Sequence, residues 1–211
     1  MTKRAAVAGL LGALITSVLC SCSNNGSTTP FGGDMPQASP PSTSAGGSPA
    51  SGQPQGTSAP RVKTPLNASK FTDKPCDSLS EPQLQKFSIT KRNGPRTDEN
   101  GASCSWSFGT GGETYAGLTY ATVRNVGLSR IYDQHQANMW PDGYFEPTDI
   151  VGYPAVFNSP KNERPKNCGI SVGVTDELMF TVFTIEAHEQ DACKAAKNVA
   201  AAVIETIKAG Q

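Results

Sequence analysis

Asn167-Cys168-Gly169-Ile170-Ser171-Val172-Gly173-Val174-Thr175 and, after Asp176-Glu177, Leu178-Met179-Phe180-Thr181-Val182-Phe183-Thr184-Ile185 decide the fold. The first run alternates, with Cys168, Ile170, Val172 and Val174 on one side, which is the period of a half-buried strand. Asp176-Glu177 is a tight turn, so the two runs form an antiparallel hairpin. The second run is apolar on both faces: Leu178, Phe180 and Val182 on one, Met179, Phe183 and Ile185 on the other. A strand covered on both sides reads this way, which places it at the centre of a sheet.

Working outward from the hairpin, Asp191 to Lys208 repeats apolar residues at helical spacing, with Ala192, Ala196, Val199, Val203 and Ile207 as the buried stripe. Upstream, Tyr153 to Asn158 is a short strand whose Pro154 suggests an edge. Leu128, Ile131, Tyr132, His135 and Met139 share one helical face, so a helix is predicted over Leu128 to Met139. Trp140-Pro141-Asp142-Gly143 ends it in a turn. Ala102 to Phe108 alternates apolar residues with Ser, putting Cys104, Trp106 and Phe108 inward. Thr110-Gly111-Gly112 then turns the chain into a second strand, Tyr115 to Val123. The polar segment Lys91 to Gly101 reads as a loop. Before it, Ser80 and Gln83 make a capping box and Leu79 and Leu84 a hydrophobic staple, starting a helix from Glu81 to Phe87. Pro82 is harmless in that first turn. The order α-β-β-α-β-β-β-α predicts one α+β domain, a mainly antiparallel sheet packed by three helices.

The rest of the chain sets the domain's surroundings. Lys3 and Arg4 precede an uncharged, mostly apolar run of 14 residues, Ala5 to Val18. That is short for a bilayer span and matches a secretory signal over residues 1–21. Leu19-Cys20-Ser21-Cys22 then reads as a lipobox, with Ser21 before Cys22 and Leu19 three positions before it. We therefore expect a lipid on Cys22 and no metal or other cofactor. In residues 23–65, Ser, Thr, Pro and Gly fill 28 of 43 positions. Such a stretch cannot repay the entropy of ordering and is expected to be a disordered tether. Flexible-chain scaling gives it a span of about 35–40 Å. The globular domain is then residues 66–211, with 14 Lys and Arg against 17 Asp and Glu, a net charge of −3. No basic stripe with interleaved aromatics occurs, so nucleic acid is not an expected partner.

Cys76, Cys104, Cys168 and Cys193 remain in the domain. No C-x-x-C or C-x-x-H pair is present, so an exported chain reads them as two disulfides. Pairing Cys76 with Cys104 and Cys168 with Cys193 would tie each helix start to an inward-facing strand residue. A Cys104–Cys168 bridge requires those two strands to be close neighbours, an alternative that stays open here.

Several blocks, taken in order, resemble those of a known family. They are Pro75-Cys76-Asp77-Ser78-Leu79 with Glu81 to Leu84, Cys104-Ser105-Trp106, Val151-Gly152-Tyr153-Pro154-Ala155, Cys168 with Val172, and Asp191-Ala192-Cys193-Lys194-Ala195-Ala196. The set is similar to the actinobacterial lipoprotein family built on domain of unknown function 3558. The resemblance spans residues 66 to 208. It implies a lipid-anchored envelope protein on the outer face of the cytoplasmic membrane. The family supplies no catalytic residues to transfer.

The residues themselves supply none either. There is no G-x-S-x-G elbow, no S-x-x-K motif and no phosphate loop, since Gly109-Thr110-Gly111-Gly112 lacks the Lys and the helix one needs. His135 falls on the apolar face of its helix, where a partly buried histidine satisfied by a neighbour is expected. His188 lies in Glu186-Ala187-His188-Glu189-Gln190-Asp191, whose consecutive side chains diverge on a turn, and whose carboxylates favour the following helix start. Trp140, Tyr144 and Phe145 cluster around Pro141-Asp142-Gly143 and are the candidate binding surface, with capping of the core as the competing role. The expected function is a non-enzymatic binding or accessory module facing another envelope protein or a wall component. The alternatives are a hydrolase with a carboxylate-only site and a carrier of a lipophilic ligand on the second face of Leu178 to Ile185.

Overall fold

A computed structural model describes residues 58–109, 114–186 and 191–211. Within them the chain forms α1 (Ser69–Asp73), a 3-10 turn (Pro75–Ser78), α2 (Glu81–Lys86), β1 (Ile89–Asp98), β2 (Gly101–Phe108) and β3 (Thr114–Tyr120). It continues through α3 (Ser129–Gln136), β4 (Tyr144–Ile150), β5 (Tyr153–Ser159), β6 (Asn167–Gly173), β7 (Met179–Ile185) and α4 (Ala192–Ala209). The seven strands make one sheet in the order β1-β2-β3-β7-β6-β5-β4, antiparallel at every step.

β7 is the middle strand, as its apolar character predicts. Phe180 and Val182 are fully buried on one face, and α4 packs against β6 and β7 there. Every residue of the expected stripe on α4 is buried. Asp191 caps this helix, its carboxylate accepting from the N–H groups of Cys193 and Lys194. On α2 the capping box forms, with Gln83 Oε1 accepting from the Ser80 N–H at 2.8 Å, and Leu79 and Leu84 are buried.

Two strands appear that the sequence pattern did not predict, and both are edges. β1 occupies the segment expected to be a loop, and nearly every side chain on it is exposed. β4 precedes β5 in a tight hairpin. An edge strand with a solvated face need not alternate, and both edges carry a proline, Pro95 and Pro147, as unpaired edges do. Correspondingly, Pro154 does not mark an edge. β5 lies inside the sheet, and its ladder to β6 begins one residue later, at Ala155. Four helices replace the expected three, because the short α1 brings Phe71 into the core.

Cys76 is bonded to Cys104 and Cys168 to Cys193. β2 and β6 are separated by β3 and β7, so Cys104 and Cys168 are not neighbours. The bridges close intervals of 28 and 25 residues, worth about 3–4 kcal/mol each by loop entropy.

The folded body begins before Leu66, where the tether was expected to end. Val62 is buried, and its N–H donates to Asp176 Oδ1 at 2.9 Å while Arg61 pairs with Oδ2 at 2.7 Å. Val62 is the last large apolar residue of that polar stretch, and this gives it somewhere to go. Residues 1–57, including Cys22 and most of the tether, lie outside the described residues, as do the turn at Thr110-Gly111-Gly112 and residues 187–190.

Two predictions follow from these contacts. The β4–β5 hairpin turns through Val151 (φ 53°) and Gly152 (φ 86°), with Ile150 paired to Tyr153. A β-branched residue is strained with positive φ, where Asn or Gly is preferred. Val151 is exposed, so Val151→Asn should stabilise the domain by about 1 kcal/mol in urea unfolding. An unchanged or lower midpoint would contradict the strain.

Asp176 has its carboxyl held below the usual range, chiefly by the Val62 N–H and then by Arg61. A depressed carboxylate contributes docking above its unfolded pKa and loses it as pH falls through the folded one. Protection of the Val62 amide against hydrogen exchange should therefore fade below about pH 4. Asp176→Ala should remove it at neutral pH while leaving β6 and β7 protected. Equal protection in the variant would refute the tie.

Candidate functional site

In an antiparallel sheet, directly paired residues share a face. Ser103, Thr119, Thr181, Ser171 and Val156 form such a row across five strands. The next row is Ser105, Gly117, Phe183 and Gly169. These two rows, opposite α4, are therefore mostly Ser, Thr and Gly, with Val156 and Phe183 among them, and the row beyond holds Ser107, Tyr115, Ile185 and Asn167. α3 covers only one end of this face.

α3 is fixed by a small second core in which Leu128 and Ile131 meet Val156 and Met179, with Tyr132, Trp140 and Phe145 around them. Its approach is set by Gly127, whose N–H donates to the Glu177 carbonyl at 2.9 Å. Gly127 has φ +52°, and a Cβ there would lie 2.3 Å from the Asp176 carbonyl oxygen. Only glycine lets the chain pass so close to the β6–β7 turn.

Between α3 and the uncovered sheet lies a recess of about 250 Å³, lined by Asn100, Thr119, Gln134, Trp140, Asn158 and Thr181 among others. Arg130 and Gln134 also line an adjoining outer groove of about 620 Å³, with Arg124, Val126, Asp133 and Met139. Val126 and Met139 are 45% and 59% exposed. Neither Arg124 nor Arg130 has an ion-pair or hydrogen-bond partner among the described residues. Two buried side-chain atoms also lack partners there: Trp106 Nε1 in the main core, and Asn158 Oδ1 at the recess. Buried polar atoms are nearly always satisfied, so each exception needs a reason.

The three aromatics expected to form one surface are divided. Tyr144 and Phe145 are adjacent on β4 and so point to opposite faces. Tyr144 enters the main core: its hydroxyl accepts from the Gly169 N–H at 3.0 Å and reaches Cys168 Sγ at 3.5 Å, while Arg164 sits 4.0 Å over the ring. Burial pushes its pKa up, the Gly169 bond opposing this. It knits the edge strand to β6. Phe145 lies against α3, with Tyr132 edge-on at 4.9 Å, and Trp140 lines the recess.

His135 is exposed rather than partly buried, its ring stacked flat on Phe145 at 4.0 Å. Met139 is not on the helix, because α3 ends at Gln136 and Asn138 turns the chain with φ 49°. His188 and Glu189 fall outside the described residues. Among the described residues no group of His, Cys, Asp or Glu is arranged to hold a metal ion.

The recess draws on the β1–β2 turn, β3, α3, the turn after it, β5 and β7, so spacing along the chain could not reveal it. The legible signal was the Ser alternation of β2, which marks an uncovered face, together with two arginines in the 124–130 segment.

An α+β domain, with one antiparallel sheet, two disulfides and a recess of mixed polar and apolar lining on its open face, is the class of protein these observations define. The chain belongs to the family described as protein of unknown function DUF3558, whose model matches residues 17–206. No curated protein and no solved structure matches the chain.

The glycine contact gives a test of how the recess is built. Gly127→Ala must either leave the left-handed region or displace the turn. It should lower the urea midpoint by the equivalent of at least about 1–2 kcal/mol and shift Trp140 fluorescence. A variant with wild-type stability and spectrum would show that this approach does not position α3.

Proposed function

We infer that this protein is a non-enzymatic binding module, held on the outer face of the cytoplasmic membrane by a lipid on Cys22, and that it captures its ligand in the α3 recess. The observation that carries the reading is a pair of adjoining concave surfaces, the recess and the outer groove, which share Arg130 and Gln134 and hold Arg124 and Arg130 without partners among the described residues. Guanidinium groups that water can reach and that nothing in the protein engages are available to a ligand's anionic oxygens. Two disulfides agree with an oxidising compartment outside the membrane.

The hydrolase alternative has less behind it. Asp133 is the sole carboxylate among the residues lining the recess and the outer groove, and glycoside chemistry calls for a pair. A lipophilic carrier needs an apolar chamber. Phe180, Val182, Ala196, Ala200 and Val203 pack without exposure between sheet and α4, and the other face of β7 continues into Thr181.

One pair of variants in the native host separates anchoring from binding. Cys22→Ala should abolish incorporation of labelled fatty acid and move the protein out of the membrane fraction. Gln134→Trp, which fills the recess, should stay acylated and in the membrane fraction yet reproduce the envelope phenotype of a deletion strain. Labelled Cys22→Ala protein would overturn the anchor, and a wild-type phenotype for Gln134→Trp would overturn the recess.

A further inference from the structure

We propose that the recess and its outer groove bind an acidic saccharide, a sugar ring carrying a carboxylate or phosphate; the inference rests on the recess being the binding site. The two compartments differ in chemistry. The inner one is lined by the side-chain amides of Asn100, Gln134 and Asn158 and the hydroxyls of Thr119 and Thr181, together with the apolar surfaces of Trp140, Ile131 and Met179. Amides both donate and accept, as a ring of hydroxyls requires, and an indole offers an apolar face to ring C–H groups. A volume of about 250 Å³ suits one ring. The outer compartment opens past Arg130 to Arg124, two guanidinium groups without partners among the described residues, against the single carboxylate of Asp133. Its net charge is positive in a domain whose net charge is −3 by the counts given above. Guanidinium forks match carboxylate and phosphate oxygens in geometry as well as charge.

The β5 end of the site is set by the backbone. The Asn158 carbonyl oxygen would be 2.5 Å from a Cβ on Gly169, so the strands close together there only because that residue is glycine. Across the β4–β5 ladder Asn158 pairs with Phe145, the ring on which His135 stacks. A lipid surface fits the inner compartment less well, because it is flat and the recess is concave.

The test uses the full acylated chain in neutral detergent micelles, with ligand-observed NMR titrations of glucuronate, glucose, acetate and inorganic phosphate. Glucuronate should bind at least about tenfold more tightly than glucose, and the Arg124→Ala/Arg130→Ala double variant should bring the two sugars level. Acetate or phosphate binding as tightly as glucuronate would reduce the site to an ion site and overturn the saccharide. So would equal binding of the two sugars by the unmodified protein, or no binding of either. Any of those results, with the Gln134→Trp phenotype intact, would reject the ligand class and leave the binding reading in place.

Discussion

The pairing of β7 on both of its edges is the constraint on which the structure depends. β7 joins the β1-β2-β3 half of the sheet to the β6-β5-β4 half, and no other pairing connects them. Its Phe180, Val182 and Thr184 lie on the face that α4 covers. Thr184 is buried, and its hydroxyl donates to the Ala192 carbonyl at 2.7 Å, fixing the start of α4 over the strand. One residue further along α4, Cys193 is bonded to Cys168 on the neighbouring strand. Helix, central strand and bridge therefore share one corner, and a slip of β7 by one residue would turn its buried set to the wrong face.

This explains which parts of the fold were legible in the sequence. Burial writes a pattern, so β7, β6, β2 and the stripe of α4 could be read directly from apolar spacing. Edges write no such pattern. β1 reads Ile-Thr-Lys-Arg-Asn-Gly-Pro-Arg-Thr-Asp, which looks like a loop because its side chains face water and its outer edge must repel other strands. The same limit applies at helix ends. Periodicity carried α3 on to Met139, whereas Asn138 takes the left-handed conformation and ends the run, leaving Met139 mostly exposed. His135 shared the spacing of buried residues, but its ring found Phe145 on an edge strand that the sequence pattern did not show.

The site was less legible than the fold, for a geometric reason. Residues adjacent in sequence make a surface together only in a loop, and β4 is a strand. Its period of two sends Tyr144 into the main core and Phe145 toward α3, dividing the aromatic cluster that looked continuous. The recess instead joins residues far apart in the chain, such as Asn100, Arg130, Asn158 and Thr181. That two arginines lack partners is a three-dimensional fact, and so is the buried, unmatched oxygen of Asn158. Neither leaves a trace in spacing or composition.

The two faces of the sheet consequently divide the work. On the α4 side, side chains pack to almost no exposure, and polar groups that enter find partners, Ser78 with Tyr120, Thr184 with Ala192 and Tyr144 with Gly169, with Trp106 Nε1 the exception. Both disulfides are tied into that packed side, through Cys104 and Cys168. On the other side, short Ser, Thr and Gly side chains keep the surface low, and α3 covers one end through a core of only a few residues. A face that contributes little packing can carry unmatched polar groups, because the stability of the domain is supplied by the other. Unpaired arginines would be expensive in the main core. Placed beside α3, where water reaches them, they leave the fold intact and stay available to a ligand.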